Sequence, residues 1–174
     1  MYYNQEVIGL NVLITAFEPF GGERTNSSLE LLKTLTNQNK LILPVSYLRA
    51  PKLCAQAVRE AAPDALICLG QARGRLKIMQ ERVAINVADS SVADNDGVLL
   101  RDAFLDAHGA AAYFSTLQLA LDVSYHAGTF VCNALLYAML RDFPELRCTF
   151  VHIPAENDMP TDEARAVIEK AIAI

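Results

Sequence analysis

Short apolar runs that alternate with amphipathic segments of helical length constrain the fold of this chain more than any other feature. Residues 11–15 are mainly apolar and β-branched, and residues 65–69 are fully apolar, which is typical of strands buried on both faces. Helical periodicity follows each of the early strands, at about 27–36 and at 52–62, where Pro63 stops it. This alternation predicts an α/β fold, a three-layer α/β/α sandwich around a largely parallel, mixed and twisted sheet.

The rest of the chain continues the pattern. Ser27 and Glu30 have the spacing of a capping box for the first helix. Further elements are predicted as strands at 41–48, 123–125 and 149–154, a β-prone stretch at 81–87, an exposed polar loop at 89–97, and helices at 132–141 and 161–172. No repeat or linker divides the 174 residues, so we expect one domain over 1–174.

Composition excludes several classes of function. The formal charge is −5 and the 15 Lys and Arg are scattered, which argues against nucleic-acid binding. No apolar run approaches the ~20 residues that a bilayer span requires, and the amino terminus lacks the basic region of a secretory signal. The cysteines show no CxxC pair and the histidines no metal-ligand spacing, so we expect no metal and a reducing, cytoplasmic location.

A turn rich in Pro and Gly follows the first strand, where sites of α/β sheets form. It presents Phe17 and Phe20, which we predict on a turn that solvent reaches. The alternative is that the turn folds its own Phe side chains into the core. A phosphate loop fits less well, because the glycine spacing matches neither common phosphate-binding pattern.

Three residues could form a nucleophilic site. Cys132 begins a predicted helix, whose free N–H groups favour a thiolate and offer an oxyanion site, although a Cys in an apolar helix is more often a core residue. His152 ends a strand, where a core histidine is the commoner interpretation. Glu81 enters an apolar strand, and a buried Glu is rare unless it is paired. Together they supply the nucleophile, base and orienting group of a cysteine hydrolase.

These residues lie in motifs that resemble the pyroglutamyl peptidase I (pyrrolidone-carboxylate peptidase) family of cysteine peptidases. The motifs keep the family's order over most of the chain. They are LITAFEPFGG at 13–22 with Asn26, LGQA at 69–72 with Gly74 and Arg75, ERVAIN at 81–86 with Asp94, Asn95 and Gly97, residues 111–113 with Leu117, AGTFVCN at 127–133, and FVHIP at 150–154.

The resemblance implies hydrolysis after an N-terminal pyroglutamyl residue through a thioester acyl-enzyme, without metal or cofactor. It implies that Cys132 is the nucleophile, His152 the general base and Glu81 the residue that orients it. The substrates would be pyroglutamyl peptides, and the protein a homo-oligomer, dimer or tetramer. The pyroglutamyl pocket would be formed by Phe17, Phe20, Phe130 and Val131 with the backbone of Gln71, which suits a flat, neutral lactam.

Two departures from the family pattern bear on activity. Ser91 stands where the family has an Arg near the oxyanion, so we expect slower turnover. Residues 117–123 are too few for the helix that family members have before the strand leading to the Cys turn, so we expect a different local topology at 115–125. The alternative function is a degenerate member that binds pyroglutamyl peptides with little or no turnover, although the retained Glu81, Cys132 and His152 argue against it.

Overall fold

The computed structural model describes residues 9–36 and 39–172, and these ranges contain four helices and eight strands. In chain order they are β1 (Val12–Phe17), α1 (Ser27–Thr34), β2 (Lys40–Leu43), α2 (Arg49–Ala61), β3 (Ala65–Ala72), β4 (Met79–Glu81), β5 (Val83–Ile85), β6 (Ala112–Phe114), β7 (Asp122–Ser124), α3 (Val131–Asp142), β8 (Arg147–Pro154) and α4 (Thr161–Ile172). No helix in the described ranges is long and apolar enough to cross a membrane.

Six strands form one mixed sheet in the order β2-β1-β3-β8-β4-β7. β1 is parallel to both β2 and β3, and β3 is parallel to β8 along its whole length. β4 runs antiparallel to β8 and parallel to β7. The carboxyl ends of β1, β3 and β8 therefore lie at one edge of the sheet, where we expected a site.

Side chains alternate between the two faces of the sheet and build two apolar cores. On one face Leu66, Cys68 and Phe150 pack against α2 and α3. On the other face Ile67 and Val151 pack against α1 and α4. The predicted α/β/α sandwich with a largely parallel, mixed sheet is confirmed, and the strand interiors are uniformly apolar because helices cover both faces.

The first helix begins at Ser27, as predicted, and ends at Thr34 instead of residue 36, but its N-cap lies one residue before the predicted capping box. Asn26 is the N-cap, and its side-chain oxygen accepts a hydrogen bond from the Ser28 N–H at 3.0 Å. The assignment of Ser27 and Glu30 as the capping box is therefore wrong. Asn26 can cap the helix because its backbone is extended, which lets its short polar side chain reach the N–H groups of the first turn.

The predicted strand at 41–48 is too long, and the helix after it begins earlier than predicted. β2 ends before Pro44, which has no N–H to donate to a ladder. α2 begins at Arg49 instead of residue 52 and includes Pro51. A proline is tolerated there because the N–H groups of a first helical turn have no intrahelical partner.

The β-prone stretch at 81–87 is divided between two sheets. Glu81 ends β4 in the main sheet, whereas β5 pairs with β6 in a separate antiparallel sheet of two strands. β6 was not predicted from the sequence. Asn133 of α3 anchors this small sheet, because its side-chain amide bonds to the Ile85 N–H at 2.9 Å and to the Ile85 carbonyl at 2.8 Å.

The segment between β6 and β7 contains no helix. Leu117 and Leu119 are buried in the core on the α1 and α4 side. The side chain of Gln80 in β4 donates to the Leu117 carbonyl at 2.6 Å and accepts from the Leu119 N–H at 2.8 Å. The buried Gln80 amide thus makes the hydrogen bonds to backbone N–H and C=O groups that a helix would make within itself.

Candidate active site

A cavity of about 470 Å³ opens at the carboxyl ends of β1 and β3. The predicted nucleophile Cys132 lines it together with all five residues predicted to bind substrate, Phe17, Phe20, Gln71, Phe130 and Val131. Arg73 is the one charged side chain among the described residues that line the cavity. The remaining lining is small or apolar apart from Thr25 and Asn26, so the cavity suits a compact, uncharged group.

Three aromatic rings pack together at this cavity. The ring centroid of Phe130 lies 5.0 Å from that of Phe20 and 5.4 Å from that of Tyr47. Phe17 is only 3% exposed and is the last residue of β1, so its predicted place on an exposed turn is wrong. Phe20 lies beyond the strand and is partly buried. Phe17 supplies the floor of the cavity because β1 continues two residues beyond its predicted end.

Gln71 lies where β3 extends beyond its neighbour β1. The last β1–β3 pair is Thr15 with Cys68, so the β1-facing edge of β3 has no strand partner at Gln71. The side-chain oxygen of Gln71 accepts a hydrogen bond from the Ser27 N–H at 2.7 Å. That bond fixes the side chain against the start of α1, and the strand backbone is left facing the cavity.

Glu81 and His152 are joined by a short hydrogen bond. The Glu81 Oε1 lies 2.7 Å from the His152 Nδ1, and the Glu81 side chain is completely buried. Burial alone would raise the pKa of Glu81, but the hydrogen bonds to His152 and Ser124, and then the charges of His152 and Arg75, hold this pKa below its ordinary value. An ionised carboxylate has no proton to donate, so Nδ1 carries the hydrogen and Nε2 is free to accept one.

The absence of a side chain at Gly70 lets Cys132 lie close to the sheet, next to the strand that carries His152. Gly70 in β3 pairs directly with His152 in β8. A Cβ added to Gly70 would lie 3.1 Å from the Cys132 Sγ and 2.6 Å from a ring atom of Phe150. The thiol therefore occupies the space that glycine leaves open over the sheet, on the face where the His152 ring packs 4.9 Å from Phe150.

The start of α3 leaves backbone donors beside the thiol. Phe130 is the N-cap, its backbone is extended, and no side chain caps the first turn. The first helical hydrogen bond runs from the Ala134 N–H to the Phe130 carbonyl at 3.1 Å. The N–H groups before Ala134, including that of Cys132, have no helical partner and can meet a developing oxyanion.

The predicted preference of Cys132 for the thiolate form is wrong for the free protein. Burial, and then the negative charge of Glu81, raise the pKa of Cys132 to about 12. The backbone N–H at the helix start and the charge of Arg75 act in the opposite direction but do not outweigh them. Cys132 is therefore a neutral thiol at neutral pH and needs a base to become a nucleophile.

The other three cysteines lie in the core and are free thiols, as Cys132 is. Cys54, Cys68 and Cys148 are completely buried, and they pack together between the sheet and α2. Among the described residues no group of three or more His, Cys, Asp or Glu side chains is arranged to hold a metal ion.

The loop that carries Ser91 borders the cavity. Val92 and Ala93 line the cavity, whereas Ser91 is exposed and does not. Asp94 departs from the predicted exposed loop because it is buried. Its carboxylate accepts hydrogen bonds from the Tyr47 N–H at 2.9 Å and from two N–H groups of its own loop, so this side chain fixes the loop against the cavity wall.

Arg75 has contacts at the site that spacing in the sequence did not indicate. Its Nη1 donates to the Glu81 Oε1 at 2.6 Å, and its Nη2 donates to the His126 carbonyl at 3.2 Å. The signals in the sequence were its place in the family motif after LGQA and its position six residues before an acid that enters an apolar strand. A buried carboxylate needs a partner, but the sequence did not indicate which of the nearby cations supplies it.

A family model, related sequences and solved structures all match this chain over most of its length. The family model for pyroglutamyl peptidase matches residues 10–169. A pyrrolidone-carboxylate peptidase of Streptococcus suis is 37% identical over 176 residues, covering 88% of this chain and 82% of that protein. One of Alkaliphilus oremlandii is 36% identical over 167 residues, covering 83% and 78%. The crystal structure of pyroglutamyl peptidase I from Bacillus amyloliquefaciens matches with a TM-score of 0.83 and 32% identity, covering 93% of this chain and 92% of that one.

Proposed function

Because the chain belongs to the pyroglutamyl peptidase family, we infer that it is a cysteine peptidase that removes pyroglutamate from the amino terminus of peptides. The observation that carries this function is the hydrogen-bonded Glu81 and His152 pair, with His152 paired to Gly70, the residue over which the sulfur of the cavity-lining Cys132 lies. The proposed roles are nucleophile for Cys132, general base for His152 and orienting anion for Glu81. The mechanism uses side chains and backbone groups of this chain together with a water molecule.

Acylation begins with the neutral thiol. The Cys132 sulfur attacks the carbonyl carbon of the pyroglutamyl residue while the thiol proton moves to the His152 Nε2. The N–H groups at the start of α3 hold the oxyanion of the tetrahedral intermediate. The carbon–nitrogen bond then breaks, and the leaving amine takes the proton from His152.

Deacylation returns the site to its first state. A water molecule attacks the thioester and passes a proton to His152. The carbon–sulfur bond breaks, the departing sulfur takes that proton, and pyroglutamate leaves. Glu81 stays ionised throughout and stabilises the protonated imidazole that forms in each half of the cycle.

The cavity accounts for a preference for the lactam. A flat, neutral five-membered ring can pack against the rings of Phe20 and Phe130, with hydrogen bonds to the backbone of Gln71. An ordinary N-terminal ammonium would lose its hydration there and lie near the cation of Arg73. A prolyl amide has a ring of the same size but a protonated nitrogen, so we expect it to react at least ~100-fold more slowly.

The test is hydrolysis of a pyroglutamyl chromogenic amide, with the prolyl amide as matched control. We expect Cys132→Ser and His152→Ala each to lose at least ~10³-fold in kcat, because nucleophile and base act as one unit. Cys54→Ala, which removes a buried thiol outside the cavity, should retain kcat. Near wild-type turnover by a folded Cys132→Ser variant would exclude the assignment.

The alternative, a binding protein with little turnover, receives no support from the relatives, which are named peptidases. The same assay distinguishes it, because such a protein would bind the amide without releasing product.

Location and assembly remain proposals. Four free thiols fit a reducing compartment, and we propose the cytoplasm. We also propose a homo-oligomer, dimer or tetramer, which light scattering of the purified chain tests directly.

A further inference from the structure

One guanidinium connects three segments of the site. Arg75 lies in the turn after β3, and its side chain is 27% exposed. Nη1 donates to the Glu81 Oε1 at 2.6 Å, at the end of β4. Nη2 donates to the His126 carbonyl at 3.2 Å and to the Ser124 Oγ at 3.4 Å, at the end of β7. Arg75 therefore links the β3 turn, the carboxylate and the turn that precedes the Cys132 helix.

The first of these links pairs the buried carboxylate with a cation. Glu81 is completely buried, and a buried carboxylate without a cation tends to take up a proton. Its Oε1 accepts from both Arg75 and His152. A protonated Glu81 could instead donate to the His152 Nδ1, which would place the imidazole hydrogen on Nε2. In that tautomer His152 could not accept the Cys132 proton.

The second link controls the backbone before the nucleophile. β7 is a three-residue edge strand whose one partner in the sheet is β4. The turn after it contains Gly128, with a positive φ of 83°, and the His126 Nδ1 accepts the Gly128 N–H at 3.1 Å. This turn leads directly to the first residues of α3. The bond from Arg75 to the His126 carbonyl ties the turn to the same carboxylate that orients the base.

We propose that Arg75 is a positioning residue that keeps Glu81 ionised towards His152 and fixes the 126–129 turn ahead of Cys132. This inference rests on the proposed peptidase function and deepens it. Arg75 acts on the reaction through Glu81 and the turn, without contact to the substrate. Its three hydrogen bonds, from two different nitrogens, need a planar fork of donors, which Lys does not have.

The experiment compares Arg75→Gln and Arg75→Lys with Arg165→Gln. Arg165 makes a matched ion pair, 2.7 Å from Glu169, on the exposed side of α4. Two readouts are measured from pH 5 to pH 10. The first is kcat and KM on the pyroglutamyl amide. The second is the rate at which iodoacetamide alkylates Cys132, followed by peptide mapping, without substrate.

For Arg75→Gln we expect kcat to fall by ~10- to 100-fold with KM changed by less than about twofold. The acid limb of the kcat profile should move to higher pH, because Glu81 then protonates more easily. Alkylation at pH 9 should slow by at least about twofold, since a nearby cation no longer favours the thiolate. Arg75→Lys should restore the acid limb but only part of kcat, because it keeps the charge and loses the fork. Arg165→Gln should match wild type in both assays.

Two results would overturn the proposal. One is a folded Arg75→Gln variant with the kcat and pH profiles of Arg165→Gln. The other is a loss of kcat with both pH profiles unmoved, which would mean that Arg75 only supports the fold. If Arg75→Gln does not fold, Arg75→Lys becomes the test. A wild-type kcat in Arg75→Lys would then contradict the need for the forked donors of the guanidinium. If wild type fails to hydrolyse the amide, the proposed function fails, whereas the alkylation profile still tests Arg75.

Discussion

At the scale of single residues, the chemistry depends on how a neutral thiol becomes a nucleophile. Cys132 has the helix start that commonly lowers the pKa of a thiol, yet burial and the Glu81 charge outweigh it. The negative charge that orients His152 thus disfavours a free thiolate. Such a site suits proton transfer that is concerted with attack, in which the sulfur does not carry a full charge before the substrate binds.

The first prediction concerns the free thiol. Because its pKa is raised to about 12, alkylation of Cys132 by iodoacetamide should be slow at pH 7. The rate should then rise ~tenfold per pH unit between pH 8 and pH 11, in proportion to the thiolate fraction. Loss of the signal in Cys132→Ser is the control. A rate that is already fast and flat near pH 7 would show a preformed thiolate–imidazolium pair instead.

The second prediction concerns Ser91, which is exposed on the loop whose next two residues line the cavity. Without a cation from this loop, oxyanion stabilisation falls to the N–H groups of α3. One such donor is typically worth ~10²–10³ in rate. Ser91→Arg should therefore raise kcat severalfold and leave KM nearly unchanged.

Steady-state kinetics on a pyroglutamyl amide tests this, with Ser91→Gln as a control of similar length without charge. An unchanged or reduced kcat in a well-folded Ser91→Arg variant would show that residue 91 does not reach the oxyanion.

At the scale of elements, the site depends on the close approach of α3 to the sheet. β3 and β8 present Gly70 and His152 side by side, and the absence of a side chain at Gly70 admits the Cys132 sulfur. The fully parallel pairing of these two strands sets the height of His152 relative to the start of α3. Small changes where α3 packs against β3 and β8 should thus lower kcat even when the protein still folds.

The third prediction is that Gly70→Ala gives a folded protein with modestly reduced stability and a strongly reduced kcat. The new Cβ would lie 2.6 Å from the Phe150 ring and 3.1 Å from the Cys132 Sγ, so the ring and the thiol must shift. Overpacking of this kind commonly costs ~1–3 kcal/mol of stability. A displacement of the nucleophile by even a fraction of an ångström should cost at least ~10-fold in kcat.

Gly109→Ala is the matched control, because its Cβ would overlap the Tyr137 hydroxyl, away from the cavity. We expect Gly109→Ala to lower the urea midpoint and retain kcat. Equal kcat losses in the two variants would contradict a specific role for the space at Gly70.

At the scale of the whole molecule, buried ionisable groups should limit stability at both ends of the pH range. The folded-state pKa of Glu81 is lowered from 4.5, so its contribution is present above pH 4.5 and is lost as pH falls through the folded value. Burial raises the pKa of the Cys148 and Cys132 thiols above 9.0, in the case of Cys132 to about 12. Their contribution is present below pH 9.0 and is lost as pH rises towards the folded values.

The fourth prediction is therefore a urea midpoint that is highest between about pH 5 and pH 8.5 and falls on both sides. Glu81→Gln should flatten the acid limb, and Cys132→Ser should reduce the alkaline slope. Equilibrium unfolding followed by circular dichroism at each pH measures this. A midpoint that does not change between pH 9 and pH 11 would contradict the burial of the thiols.

We also propose that 1–174 is one domain. A single unfolding transition that coincides by circular dichroism and fluorescence would support this proposal.

Patterns along the chain were sufficient to predict the layer architecture and the types of residue at the site. Strand β3 and helix α4 were predicted because burial imposes local patterns, an apolar run for a strand covered on both faces and a 3.6-residue period for a helix. Glu81, Cys132 and His152 were recognised in the same way, since each follows or enters such a run and lies in a family motif. These features depend on near neighbours along the chain.

Which distant groups meet, and how burial and neighbouring charges shift their pKa values, became clear only from the folded chain. The antiparallel insertion of β4 beside β8 places Glu81 next to His152, and no local pattern encodes a pairing across 71 positions. The same holds for the link from Arg75 to the His126 carbonyl. The pKa of Cys132 was mispredicted for this reason, because the helix start is a local feature whereas desolvation and the Glu81 charge come from segments that only folding brings together.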